Sequence, residues 1–172
     1  MRARRPFRRG STSTIALPPG ERLLASASIE DDRELGGTRD ALYLPRDGGG
    51  HQRLAWEDVE AAAWDLETSE LVVSEVGTWG EARPEHRLVV AEPGRLLELV
   101  RERVTASVVY QRHVALGARR GLRVIARQAP GRRGEIRWIY EYDRGVDPED
   151  PEVRLAASEA LVSAQEELGL AG

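Results

Sequence analysis

Residues 87–104 read RLVVAEPGRLLELVRERV, and the hydrophobic period changes inside this stretch. The segment HRLVVA, His86 to Ala91, alternates as a half-buried strand does. Beyond Pro93 the apolar residues Leu96, Val100 and Val104 fall one helical turn apart, and Leu97 and Leu99 widen the stripe. Arg95, Glu98, Arg101, Glu102 and Arg103 mostly face water, so the spacing predicts an amphipathic helix closing a run of strands.

Upstream of that helix the chain reads as short strands and turns. ERLLASAS (Glu21 to Ser28) alternates, EDD (Glu30 to Asp32) forms a loop tip, and RELGGTRDALYL (Arg33 to Leu44) holds two strands meeting near TRD. The three glycines of PRDGGG (Pro45 to Gly50) carry too much backbone entropy for regular structure and mark a hairpin loop. HQRLAW follows as a strand. EDVEAAAWD allows a helical turn or a strand, and strand is preferred because LETSE supplies a turn and LVVSEV (Leu71 to Val76) is β-branched and alternating. Trp56 and Trp64 then belong to the core or its rim, where large aromatics usually lie.

Some six or seven short antiparallel strands followed by one helix form a specific order. Through GERLLASAS, TRDALYL, RLAWEDVEAAAWD, ELVVSEV, RLVVAE and GRLLELVRERV, residues 20–105 resemble a bacterial pleckstrin-homology-like (PH-like) domain. The chain is also similar to an uncharacterised protein family of high-GC Gram-positive bacteria, to which no activity is attached. The resemblance implies an antiparallel PH-like β-barrel capped by a helix. Lipid sites of that family gather basic residues on the loop between the first two strands. Here the loop is the acidic SIEDDR, so phosphoinositide is not the expected ligand.

Residues 106–172 carry a second pattern. SVVYQRHV (Ser107 to Val114), GLRVIAR (Gly121 to Arg127) and EIRWIYEYD (Glu135 to Asp143) alternate, which predicts a three-stranded antiparallel meander. Ile136, Trp138, Tyr140 and Tyr142 make one bulky face. The segment DPEDPEV then starts a helix: Asp150 caps it, Pro151 suits its first turn, Glu152 meets the positive end of its dipole, and Gly169 stops it. Its stripe of Val153, Ala157, Ala160, Leu161, Ala164 and Leu168 is expected to cover the aromatic face. The fold class is thus α+β: residues 1–19 a disordered basic tail, 20–105 the barrel with its capping helix, and 106–172 the meander with a C-terminal helix.

Charge is unevenly spread over this chain of 172 residues. Its 25 basic residues are all arginine and the net charge is −4, yet five arginines fall in the first nine residues; the remainder holds 20 arginines against 29 acids. A basic tail on an acidic body suits an anionic partner, and Arg4, Arg5, Arg8 and Arg9 are its candidate contacts. MRARRPFRRGSTSTIALPPG lacks the apolar run of a secretion signal, so the expected location is the cytoplasm. With no cysteine, disulfides, thiolate catalysis and cysteine-based zinc sites are excluded.

Motifs of catalysis are equally scarce. His51, His86 and His113 are scattered, DGGGH is not followed by the GK[ST] of a phosphate loop, and the acids of EDD and WEDVE lack calcium-loop spacing. Neither a catalytic residue nor a cofactor or metal site is expected. Arg123, Arg127 and Arg137 share the meander face opposite the aromatics, beside His113 and Gln111, while Arg119, Arg120, Arg132 and Arg133 decorate the turns. Such a face can hold a phosphate backbone or dock a protein, although Glu135 and Glu141 stand ready to pair with it. The expected function is a non-enzymatic adaptor with a protein partner. The alternative is a nucleic-acid-associated protein using the tail and this arginine face.

Overall fold

A computed structural model describes residues 13–77, 82–117, 120–131 and 133–170, of Arg133 the backbone only. The chain is α+β, with three antiparallel sheets and two helices. Strands β1 (Ala25–Ser28), β2 (Glu34–Gly37), β3 (Ala41–Pro45) and β4 (His51–Ala55) pair in sequence order. The Gly48–Gly50 run between β3 and β4 takes positive φ at all three residues, which suits only glycine there. A second sheet holds β5 (Val59–Asp65), β6 (Glu70–Glu75) and β7 (Glu85–Val89), after which α1 (Leu96–Ser107) begins.

These two sheets do not close into the barrel that the resemblance implies. Between β4 and β5 the residues Trp56–Asp58 take a 3-10 turn, which interrupts the ladder and sends β5 into a separate sheet. The sheets still share one core: Leu35, Leu42, Leu54, Val59, Leu71 and Val73 meet Leu96 and Val100 of α1 around a fully buried Trp56. Trp56 Nε1 donates to the Thr38 carbonyl at 3.1 Å, giving its polar atom a buried partner. Trp64 packs half-buried against the same core.

Two glycines let β2 be covered on both faces. A Cβ on Gly37 would stand 2.7 Å from Leu99 Cδ2 of α1, and one on Gly36 would stand 2.4 Å from Ile15 Cδ1. Residues 13–17, on the tail side of the boundary drawn at residue 19, therefore lie against the outer face of the first sheet. Ile15 is buried there with Ala41 and Tyr43. Farther along, Glu21 accepts hydrogen bonds from Thr38 Oγ1 (2.6 Å), Tyr43 Oη (2.9 Å) and Arg53 Nε (2.8 Å), which pins the chain entering β1.

The boundary drawn at residue 105 falls inside α1, which runs to Ser107 and passes without a linker into β8 (Val108–Ala115). With β9 (Gly121–Ala129) and β10 (Arg133–Tyr142) it forms the meander, with β9 central. Trp138, Tyr140 and Tyr142 stand opposite Ala126, Val124 and Leu122, and these aromatics pack with Val124 and Leu122 against α2 (Pro151–Glu167). Small Ala157, Ala160 and Ala164 let that helix approach the sheet. Asp150 Oδ1 accepts from Glu152 N, Pro151 opens the helix, and Gly169 ends it at φ 70°. No helix among the described residues is long and apolar enough to cross a membrane.

Trp56→Phe keeps most of the buried volume but leaves the Thr38 carbonyl without its donor. Urea unfolding is expected to show a loss of about 1–3 kcal/mol; an unchanged midpoint would mean that the carbonyl finds another partner.

Candidate functional site

The parity that groups Arg123, Arg127 and Arg137 holds in the structure: Arg127 pairs across strands with Arg137, and Arg123 with Glu141. Their face, however, is turned onto the N-terminal half. Arg127 is 4 % exposed, although it is read from the sequence as a partner- or phosphate-contacting residue. Its Nη1 donates to the Val59 carbonyl (2.7 Å) and Ser107 Oγ (3.0 Å), and its Nη2 to the Glu60 carbonyl (2.8 Å).

The cause lies in β5. Val59 pairs with Glu75 and Ala61 with Ser74, leaving Glu60 as the extra residue of a β-bulge. The bulge turns Val59 into the core and then brings Ala62 and Trp64 inward on the opposite parity. A flat guanidinium fork fits the two successive carbonyls of the bulge, as a single ammonium point charge does not.

A belt of charges surrounds this clamp. Arg137 pairs with Asp58, Arg83 Nε lies 2.8 Å from Glu60 Oε2, and Arg123 Nη1 donates to Glu141 Oε2 at 2.8 Å. Burial pushes the Glu60 carboxyl above its ordinary range; Arg83 opposes this, and a hydrogen bond with Glu141 adds to it. Burial likewise pulls Arg127 below the usual arginine range, opposed by Glu60 and Glu141. Of the acids of WEDVE, read from the sequence as solvated or cation-binding groups, Asp58 meets Arg137 of the meander and Glu60 meets Arg83. The role of Glu60 beside the clamp was not legible, and Arg83 was missed, because both lie far from those arginines in sequence and carry no motif spacing.

The remaining candidates are dispersed. His113 is exposed, 3.4 Å from Asp143 Oδ2, and stands apart from the clamp. His51 donates to the Glu34 carbonyl (2.8 Å), and His86 Nε2 lies 2.6 Å from Glu75 Oε1. Arg120 donates to the Gly145 carbonyl. Arg4, Arg5, Arg8 and Arg9 lie outside the described residues, as do Arg119, Arg132 and the side chain of Arg133. No group of three or more acids or histidines among the described residues is placed to hold a metal ion.

A more open feature runs along β10, which among the described residues pairs with β9 alone and forms an edge of its sheet. A groove of about 420 Å³ lies beside it, lined by Trp138, Tyr140, Tyr142, Arg137, Glu149 and Arg154 among others. Trp138 is braced from below by Tyr110, edge to face at a centroid distance of 6.3 Å. Arg154, exposed on the first turn of α2, has no side-chain partner among the described residues. Compared with family models, curated proteins and solved structures, the chain matches none.

Arg127→Ala strands two carbonyls and a hydroxyl, and is expected to cost about 3–5 kcal/mol in urea unfolding. Arg127→Lys is expected to recover only part of that loss; full recovery would show that charge, and not the fork, matters. For Glu60 the folded-state pKa is raised, so its contribution to stability is fullest in acid and is lost as pH rises through that value. Between about pH 4 and pH 8 the melting temperature of Glu60→Gln should therefore gain on that of the unsubstituted protein, and a gap constant across that range would contradict the raised value.

Proposed function

We propose that the chain is a cytoplasmic, non-enzymatic scaffold, and that the groove along the free edge of β10 takes an extended peptide from a partner protein. The observation that carries the reading is the edge itself: a strand with one side unpaired among the described residues, next to three aromatic side chains, Arg137, Arg154 and Glu149. An added strand gains main-chain hydrogen bonds from such an edge, and pockets for alternate side chains supply selectivity. Aromatic groups supply contact area at small entropic cost. Arg154 favours an acidic residue in the peptide, since it stands without an internal counter-charge among the described residues. The seven strands and α1 before this sheet suggest an opened PH-like arrangement, serving as the rigid support on which the meander is mounted.

The nucleic-acid alternative draws less support. Arg127 spends its donors on the interior, and Arg123 and Arg137 are engaged with Glu141 and Asp58. Tail arginines are then the remaining contacts for a phosphate backbone.

A library of random twelve-residue displayed peptides, selected against the full chain, tests the scaffold reading. The expected ligands are extended and acidic, bind with micromolar affinity, and shift the backbone amide signals of residues 137–142. Arg154→Glu should weaken them by about 1 kcal/mol, roughly five-fold. Selected peptides whose signals shift elsewhere, or that bind Arg154→Glu equally well, would contradict the β10 site.

A further inference from the structure

Edge strands escape unwanted pairing through prolines, bulges or short length. β10 is the longest of the described strands and holds no proline, and its irregularity falls before Arg137, so residues 137–142 run in regular register with β9. Alternation sorts their side chains between two faces. Trp138, Tyr140 and Tyr142 look toward α2; Arg137, Ile139 and Glu141 look the other way, toward the half that holds Asp58. That second face reads cation, apolar, anion along the chain. A strand running antiparallel to it is matched when it presents the same order, and β10 turned end for end presents it.

Pairing geometry narrows how two copies meet. Alternate residues turn their N–H and C=O groups to the outer edge, so two strands about a two-fold axis match residues of the same parity, and the axis passes through one residue. With the axis at Ile139, Arg137 faces Glu141 of the second copy, Glu141 faces its Arg137, Trp138 faces its Tyr140, and Ile139 faces Ile139. An axis at Trp138 sets Glu135 against Glu141, and an axis at Arg137 or Glu141 sets that residue against its own charge. An axis at Tyr140 sets Ile139 against Glu141. Charge thus selects Ile139. Arg137 keeps donors for a second carboxylate, since its side chain is 58 % exposed although it pairs with Asp58.

We propose, resting on the reading of β10 as the docking edge, that its occupant in the absence of a peptide is β10 of a second copy of this chain, paired antiparallel about Ile139. The three-stranded sheet then runs on across the axis into that of the second copy. Self-association and peptide docking use the same backbone groups, so each excludes the other. The concentration of the chain therefore sets how much of the edge is open.

Sedimentation equilibrium of the full chain, from about 1 µM to about 1 mM, is expected to show a dimer with a dissociation constant on the order of 10–100 µM. Ile139→Lys and Ile139→Glu each place like charges at the axis and leave the ion pairs of Arg137 and Glu141 in place. Each should weaken the dimer by about five-fold or more, and an equimolar mixture of the two should recover it as a heterodimer. In the unsubstituted chain, which needs no variant to fold, hydrogen exchange at residues 137–142 should slow as concentration rises through the dissociation constant. A chain monomeric to about 1 mM, a dimer that both variants leave unchanged, a mixture no tighter than its components, or protection that grows only outside β10 would each overturn the proposal. A monomer that still binds the selected peptides at β10 overturns the dimer and leaves the docking edge standing. A dimer recovered by mixing that no selected peptide dissociates supports the dimer and contradicts peptide docking.

Discussion

The Arg127 guanidinium must find its acceptors inside the protein, because it is 4 % exposed and a buried charge without partners is costly by several kcal/mol. It finds them in the carbonyls of Val59 and Glu60 and in Ser107 Oγ, groups contributed by β5 and the end of α1. Two of these acceptors exist as a pair because β5 is bulged at Glu60. The bulge and the arginine therefore need each other: the bulge frees carbonyls that the sheet no longer uses, and the arginine satisfies them. With α2 on the other face of the meander, β9 becomes a strand buried on both sides, which explains why Ile125 and Arg127 are as buried as Val124 and Ala126.

The same logic of two covered faces recurs in β2. Gly36 and Gly37 point to opposite sides, one beneath Ile15 and the other beneath Leu99. A sheet of four strands thus carries α1 within and the chain's own N-terminal segment without. The fold uses polar hubs to fasten these layers: Glu34 for residues 13–17, Glu21 for the chain entering β1, and Arg127 for the meander. Each hub has several partners on separate elements, so each ties together segments distant in sequence.

Most elements were legible because their signals are local. The shift of period at Pro93, the glycines after Asp47, and the Asp150, Pro151 and Gly169 signals of α2 each depend on residues close together in the chain. Even the shared face of Arg123, Arg127 and Arg137 followed from strand parity. What that face meets did not, since an arginine pointing at water and one pointing at a carbonyl 67 or 68 positions away read alike. The bulge was hidden because EDVEAAAWD offers small alanines on both parities. Ser13 to Leu17 read as tail because one isoleucine over one glycine makes no period. The barrel expected from the resemblance failed at Trp56–Asp58, where a turn of three residues separates two ladders.

An arginine face spent on the interior joins the meander to β5 and to the turn before it. Native-state hydrogen exchange at rising sub-denaturing urea measures this unity most directly. If the clamp joins the halves, amides in β5, β6 and β9 converge on one opening free energy, equal to that of global unfolding. Convergence of β8, β9 and β10 on a lower value than β5 and β6 would show a meander that opens alone, and would contradict the joining role of Arg127.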